Sequence, residues 1–188
     1  MKSAALITLM TLTGAVSAGA QAIATLPLAE GMLSFDANAS LGAFTGVTRT
    51  MTGHLAGAST MAGVRGWVAA DTKTLSTNNG HRDHDMASSL EIDKYPTMRF
   101  DLDSVAVGAA AGDSTAVTLL GKFTIHGQQR PVSIPGFAWT TPERVRYLGS
   151  IVLDVKDYGV GGLTKMLGVL KMNEHITVHI DVTFAAGH

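Results

Sequence analysis

The chain has 188 residues, and its 14 Lys and Arg against 15 Asp and Glu give a net charge of −1. This balance argues against a strongly basic nucleic-acid-binding surface and against an acidic tail. Hydrophobic residues make up 46% of the chain and charged residues only 15%, a composition that excludes a disordered protein. Cysteine is absent, which excludes disulfides, thiolate metal sites and a cysteine nucleophile.

The first 22 residues have the pattern of a secretory signal peptide. Lys2 precedes an apolar run over 4–12, which is shorter than the roughly 20 residues that a membrane span needs. Small residues follow, and Ala20 and Ala22 fit a small-x-small cleavage pattern. We therefore expect cleavage after Ala22 and a soluble, exported, single domain over 23–188.

Most of the remaining sequence alternates between apolar and polar residues with a period of two, which predicts β-strands with one buried face. The last strand is the clearest, because apolar and polar residues alternate without a break from Ile176 to Phe184. Many such strands without a helical half predict a barrel or a sandwich. The predicted strands cover 33–39, 45–56, 63–70, 98–102, 117–125, 132–134, 147–156 and 176–184.

Turn residues and prolines add detail to this pattern. Gly127-Gln128-Gln129 separates two predicted strands and indicates a hairpin connection. Pro131 and Pro135 lie close to the second of these strands, where a missing amide hydrogen is tolerated only at an edge or an end. We therefore expect these prolines to lie either at an edge of the sheet or at an end of this strand.

Two segments depart from the strand pattern and predict short helices. The polar stretch 79–90 is the first. In the second, over 163–170, the apolar residues are spaced as on one face of a helix, at i, i+3, i+4 and i+7. These residues are Leu163, Met166, Leu167 and Leu170.

The 79–90 stretch also holds the densest group of residues able to carry chemistry. His81 and His84 are three residues apart, so one helical turn could present both imidazoles to a metal ion. A zinc site needs a third ligand, and the other histidines have no recognised spacing. No nucleotide-binding loop or serine-hydrolase motif is present. A metal-binding or catalytic protein that uses His81 and His84 is therefore the alternative hypothesis.

The apolar content offers a further clue to function. Some strands, such as 148–155, carry apolar residues on both faces, which exceeds what closing one barrel core requires. A barrel of about eight strands is just wide enough to be filled by side chains or to hold one small ligand. The pattern alone leaves two alternatives open, a lumen for an acyl or prenyl chain and a well-filled core.

Four segments, in the same order along the chain, resemble motifs of a known family. Residues 82–86 are similar to an R-D-x-H-[LM] loop, and 94–100 to a K-Y-P-x-[IM]-x-F strand start. Residues 121–132 resemble a G-x-[FL]-T-[IL]-x-G-x-x-[KR]-P-V hairpin, and 157–170 contains a D-Y-G-[IV] and an L-G-V-L segment. Together they resemble the YceI-like family of lipocalin-like, polyisoprenoid-binding periplasmic proteins.

The resemblance implies an all-β protein, an extended antiparallel eight-stranded lipocalin-like barrel with one or two short helices. It implies a tunnel that binds a long apolar amphiphile, such as a polyisoprenoid, an isoprenoid quinone or a fatty-acid derivative, with no catalysis and no covalent cofactor. A bound isoprenoid or acyl lipid and a periplasmic location are expected, in agreement with the predicted signal peptide. The expected partner is this lipid, and family analogy adds transient contact with a membrane or a membrane redox protein. A homodimer is left open.

The resemblance also suggests which residues bind the ligand. We expect the lipid head group near Arg82 and Asp83, because Arg82 can bind a phosphate or a carbonyl and Asp83 can orient it. The alternative is an ordinary surface pairing of Arg82 with a neighbouring carboxylate. One position departs from the family motif, since Asp85 stands where a histidine is most frequent. The remaining predicted ligand-binding residues, which would surround the lipid, are Phe35, Trp67, Met86, Phe100, Phe123, Tyr158, Leu163, Met166 and Leu167.

Overall fold

The structure is a computed structural model that describes residues 25–40, 42–57, 60–160, 164–165, 170–171 and 173–186. The predicted signal peptide and the candidate ligand-binding residues Leu163, Met166 and Leu167 lie outside these ranges. Within the described ranges, no helix has the length and apolar character that crossing a membrane would require.

Strands dominate the described residues, and one α-helix, α1, covers Gly80–Ser89. Short 3₁₀ turns lie at Met61–Gly63, Thr72–Thr74 and Val155–Tyr158. The strands are β1 (Thr25–Ala39), β2 (Gly42–Thr48), β3 (Met51–Ala56), β4 (Arg65–Asp71), β5 (Thr97–Ala111), β6 (Ser114–Ile125), β7 (Gln128–Thr140), β8 (Arg144–Asp154), β9 (Thr164–Lys165), β10 (Leu170–Lys171) and β11 (His175–Ala185).

One antiparallel sheet closes on itself and forms the body of the protein. Its strand order is β11-β8-β7-β6-β5-β4-β3-β1-β2, and β11 also pairs with β1. Eight of these strands form the barrel wall, while β2 is an additional strand beside β1. The prediction of an all-β, eight-stranded antiparallel barrel is therefore confirmed, with α1 as the helix predicted over 79–90. The Asn79 side chain caps α1 by accepting a hydrogen bond from the Arg82 amide at 3.1 Å.

The prediction of a single strand over 45–56 is wrong. The chain forms β2 and β3 instead, because β1 pairs with β2 through its second half and with β3 through Thr25–Pro27. Thr48, only 2% exposed, lies at the break between them. Its hydroxyl accepts the Thr50 amide at 3.2 Å and lies 2.5 Å from the hydroxyl of Thr74. A local hydrogen bond of this kind competes with strand pairing and interrupts the ladder.

The predicted hairpin is present, but its turn lies one residue earlier than expected. His126 and Gly127 are the two turn residues, with φ of 50° and 71°, and Gln128 already belongs to β7. Two-residue hairpin turns of type I′ need a positive φ at both positions. Gly127 also leaves room for Tyr95, because a Cβ at Gly127 would lie 2.5 Å from the Tyr95 ring.

The helix predicted over 163–170 is wrong where the structure describes that segment. Thr164–Lys165 and Leu170–Lys171 pair with each other as β9 and β10, and the other residues of the segment lie outside the described ranges. A run of eight residues is too short for apolar spacing alone to separate a helix from a short hairpin.

Candidate functional site

Three aromatic rings form the centre of the apolar interior. Phe100 on β5 and Phe123 on β6 are paired directly on neighbouring strands, and their ring centroids lie 6.5 Å apart in an edge-to-face arrangement. Tyr158, from the 3₁₀ turn after β8, adds a second edge-to-face contact with Phe123 at 6.4 Å. All three are buried, and burial is the main cause that raises the pKa of the Tyr158 phenol. These residues lie inside the barrel, as expected.

A small apolar cavity lies beside this cluster. Its volume is about 10 Å³, which is close to the minimum that holds one water molecule and far below the size of a lipid tail. A tail that entered this cavity would displace side chains, and Met51 and Met98 are the most adaptable of the lining residues. The lining residues are Leu33, Met51, Val68, Ala70, Met98, Phe100, Phe123 and Ile180.

Phe35 packs at the wall of the barrel, where β1 meets β2. It lies opposite Gly46, and a Cβ at Gly46 would come within 2.2 Å of the Phe35 ring. The ring also makes an edge-to-face contact with Phe44 at 6.0 Å and packs against the buried core. The missing side chain of Gly46 therefore leaves the space that the Phe35 ring occupies.

Trp67 lies on the outer face of the barrel, so its predicted position inside is wrong. Its neighbours Val68 and Ala70 line the cavity, and strand alternation directs Trp67 to the opposite face. There the Arg99 guanidinium lies 4.2 Å from the Trp67 ring centroid, and His54 contacts the ring edge at 5.4 Å. The apolar residues of β4 fall on both faces, so the sequence did not indicate which face was buried.

Asp83 holds the loop before α1 in place. Its carboxylate accepts hydrogen bonds from the Thr77 amide and hydroxyl, at 2.8 and 2.6 Å, and from the Ser76 hydroxyl at 2.8 Å. Burial opposes ionisation of Asp83, but the hydrogen bonds outweigh it and lower the pKa of the carboxyl. These donors occupy both Asp83 oxygens, so the carboxylate holds residues Ser76 and Thr77 in place. This arrangement gives no support to the expected role of Asp83 in orienting a head group.

Arg82 lies beside Asp83 but makes different contacts. Its Nε donates to the Thr77 hydroxyl at 3.0 Å, and its guanidinium lies 4.3 Å from the ring centroid of Phe44 on β2. A guanidinium that stacks on an aromatic ring keeps its outer N–H groups directed along the ring plane, where they can bind an anion or a carbonyl. Phe44 and Thr77, which position Arg82, were missed by the sequence analysis because neither belongs to a recognised motif.

The inner side of α1 contributes apolar contacts to the barrel. Met86 is partly buried and packs against the core together with Leu90. His81 and His84 are exposed on the same helix. Across the part of the chain that the structure describes, no three His, Asp or Glu side chains group together as metal ligands.

Comparison with known proteins identifies the family. Residues 25–184 match the YceI-like domain. Comparison with curated proteins found no match.

Solved structures with low sequence identity share the fold. A polyisoprenoid-binding domain from Saccharophagus degradans superimposes with a TM-score of 0.70 at 14% identity, covering 88% of this chain and 99% of that one. BcnA of Burkholderia cenocepacia gives a TM-score of 0.67 at 13% identity, with coverages of 81% and 95%. The YceI protein of Campylobacter jejuni gives 0.60 at 14% identity, with coverages of 76% and 85%. The family match spans most of the sequence, and the barrel has the expected architecture; the chain therefore belongs to the YceI-like family.

Proposed function

We propose that this protein is an exported carrier that binds a long apolar amphiphile, such as a polyisoprenoid, an isoprenoid quinone or a fatty-acid derivative, inside its barrel. The observation that carries the proposal is the closed barrel of a YceI-like protein whose interior holds a cavity lined by apolar residues. The similarity in fold to a polyisoprenoid-binding domain supports this class of ligand. The family match begins at residue 25, close after the predicted cleavage site, which supports export.

Hydrophobic burial would supply most of the binding energy. Each CH₂ group that leaves water contributes about 0.8 kcal/mol, so a long prenyl or acyl chain can offset the cost of rearranging the interior. The cavity has no polar lining residue, which means that the tail meets no buried group that it leaves without a hydrogen-bond partner. Binding rather than catalysis is the activity that this interior supports.

The head group would lie near Arg82, at the end of the barrel that α1 adjoins. The stacking of the guanidinium on Phe44 and its bond to Thr77 fix the direction of the charge. A fixed guanidinium recognises phosphate or carbonyl oxygens. Replacing Arg82 with Lys would keep the charge, lose the stacking geometry and lower the affinity for a lipid with a charged head group.

Native mass spectrometry of the protein purified from the cells that produce it, followed by organic extraction, tests the proposal. A stoichiometric prenyl or acyl compound is the expected result. If the extracted compound is a quinone, its absorbance identifies it. A bound quinone would favour a membrane redox protein as partner. An unliganded mass that does not change after incubation with quinones and fatty amides would overturn the proposal.

A matched pair of variants shows whether the ligand occupies the interior. Ala70→Leu fills space beside the cavity, whereas Ala69→Leu adds the same group to the outer face of the same strand. We expect Ala70→Leu to reduce lipid uptake at least tenfold and Ala69→Leu to leave it unchanged. Thermal unfolding of both variants separates loss of binding from loss of folding.

A further inference from the structure

The barrel wall has a break between two neighbouring strands. β7 and β8 pair only from Gly136 opposite Gly149 to Thr140 opposite Val145. On the other side of the Gly136–Gly149 pair, β7 includes residues 128–135 and β8 includes residues 150–154. These described residues form no ladder with each other. We call these two unpaired segments the seam. β6 still pairs with the far side of β7, and β11 with the far side of β8, so both strands remain part of the sheet.

Tyr147 marks the point where the two strands separate. Its hydroxyl donates to the carbonyl oxygens of Ile134 and Pro135, at 2.9 and 3.2 Å. A Cβ at Gly149 would lie 2.1 Å from the Tyr147 hydroxyl, so the phenol occupies the space that a side chain there would need. The tyrosine therefore supplies hydrogen bonds to β7 at the position where β8 no longer does.

Prolines keep the β7 side of the seam from pairing fully. Pro131 and Pro135 both lie within 128–135, and neither has an amide hydrogen to donate. Prolines are found at strand edges for this reason, and β7 is locally an edge here although it lies within the sheet. The sequence left an edge or a strand end open for these prolines, and in the structure the segment 128–135 has an unpaired edge on its β8 side.

The lower end of the seam is closed by the 3₁₀ turn Val155–Tyr158 and one histidine. His126 lies in the hairpin turn before β7, and its Nδ1 is 3.3 Å from the Tyr158 carbonyl oxygen. Its Nε2 is 3.0 Å from a carboxylate oxygen of Glu91, in the loop after α1. The imidazole also makes an edge-to-face contact with Tyr95 at 4.6 Å. One side chain thus joins three segments that are far apart in sequence.

Both ring nitrogens of His126 are engaged, Nδ1 with the Tyr158 carbonyl oxygen and Nε2 with the Glu91 carboxylate. The Lys94 ammonium lies 3.9 Å from the same Glu91 oxygen. His126 and Glu91 both adopt a positive φ, of 50° and 46°, which is unfavourable for residues other than glycine. The hydrogen bonds of the His126 side chain compensate for this backbone strain.

We infer that the seam between β7 and β8 is a side opening to the barrel interior, and that His126 is the latch that keeps it closed. Release of His126 frees the turn at Tyr158, a residue whose ring belongs to the aromatic cluster beside the cavity. That a lipid passes through this opening rests on the proposed function. That the seam opens does not depend on the proposed function.

The absence of cysteine makes the opening measurable by thiol labelling. Leu153→Cys places a thiol on the β8 side of the seam, and Val178→Cys places one on β11, which is paired on both sides. The native residues are equally buried, at 5% and 4% exposure. Each thiol is combined with His126→Asn, which tolerates a positive φ but is too short for both contacts. The matched control is His179→Asn, since His179 bonds to Asp36 at 2.9 Å on the outer face.

We expect His126→Asn to accelerate labelling of the thiol at 153 about tenfold and to leave the thiol at 178 unchanged, while His179→Asn changes neither. Equal acceleration at both thiols, or none at 153, would overturn the inference. If a thiol variant does not fold, amide hydrogen exchange over 150–160 in His126→Asn and His179→Asn decides in its place, with faster exchange expected only in the former.

Lipid loading then distinguishes the opening from the proposed function. His126→Asn should increase the rate of loading with a fluorescent prenyl probe several-fold and change the equilibrium affinity little. Faster labelling at 153 with an unchanged loading rate would refute the seam as the lipid route. A wild-type protein that takes up no prenyl or acyl probe would refute the proposed function, while the labelling result would still decide whether the seam opens.

Discussion

Replacing Tyr147 with Phe tests the hydrogen bonds at the top of the seam. The change removes only the hydroxyl, which donates to the carbonyl oxygens of Ile134 and Pro135, and it keeps the buried ring. Leaving a buried acceptor without its donor costs about 1–3 kcal/mol, and the second, longer bond adds little because the same hydrogen serves both. We therefore expect a loss of about 1.5 kcal/mol in the free energy of unfolding. For a domain of this size, that corresponds to a decrease in Tm of roughly 3–6 °C.

Urea denaturation and calorimetry measure this loss, with Tyr95→Phe as the matched control. The Tyr95 side chain is partly exposed, so its hydroxyl can bond to water and its removal should change the unfolding free energy by less than about 0.5 kcal/mol. A Tyr147→Phe variant as stable as the wild type would show that the seam carbonyls do not depend on this hydroxyl.

The pH dependence of stability gives a second test of Tyr147. Burial raises the pKa of its phenol well above the ordinary value of 10. The folded state therefore holds this proton more tightly than the unfolded state, and the resulting stability is lost as the pH rises above about 10. Tyr147→Phe should lose less stability between pH 9 and 11 than the wild type. Identical alkaline profiles would contradict this reasoning.

Three further predictions concern other parts of the barrel. Gly46→Ala should destabilise the protein by about 1–3 kcal/mol in urea denaturation, because the new Cβ would overlap the Phe35 ring; unchanged stability would show that the ring moves freely. Asp83→Ala should lower the free energy of unfolding by about 1–3 kcal/mol at pH 7, since it removes the acceptor for Thr77. Because the pKa of Asp83 is lowered in the folded state, its carboxylate stabilises the protein above about pH 4, and this stabilisation is lost as the pH falls through the folded-state pKa. The unfolding free energies of the wild type and the variant should therefore converge in acid. Trp67→Ala should leave the affinity for a prenyl probe unchanged, and a tenfold loss would place the ligand on the outer face.

The sequence predicted the barrel well because its strands carry a strong alternation. In β11 the apolar residues from Ile176 to Phe184 specify both the strand and its buried face, and most of them are buried as expected. Family motifs supplied the strand number and the closure, which local alternation cannot give. The break at Thr48 was missed because it depends on a hydrogen bond to Thr74, a residue 26 positions further along the chain.

The candidate site was predicted less completely, for physical reasons that differ between residues. Phe100 and Phe123 belong to strands with one apolar face, so alternation determined their direction. Trp67 belongs to a strand with apolar residues on both faces, and its contact with Arg99 becomes visible only when β4 and β5 are paired. The latch at His126 depends on Glu91 from a distant segment, so neither residue had a recognisable signal alone.

The outward position of Trp67 affects how the protein can be studied by spectroscopy. The chain has two tryptophans, and Trp139 also lies on the outer face, where its indole donates to Asp113 at 3.1 Å. Their fluorescence therefore depends on neighbours such as Arg99 and Asp113 and should change little when the interior is occupied. An emission signal for the interior requires a tryptophan introduced there, for example Phe123→Trp, in a background where both native indoles have been replaced by phenylalanine.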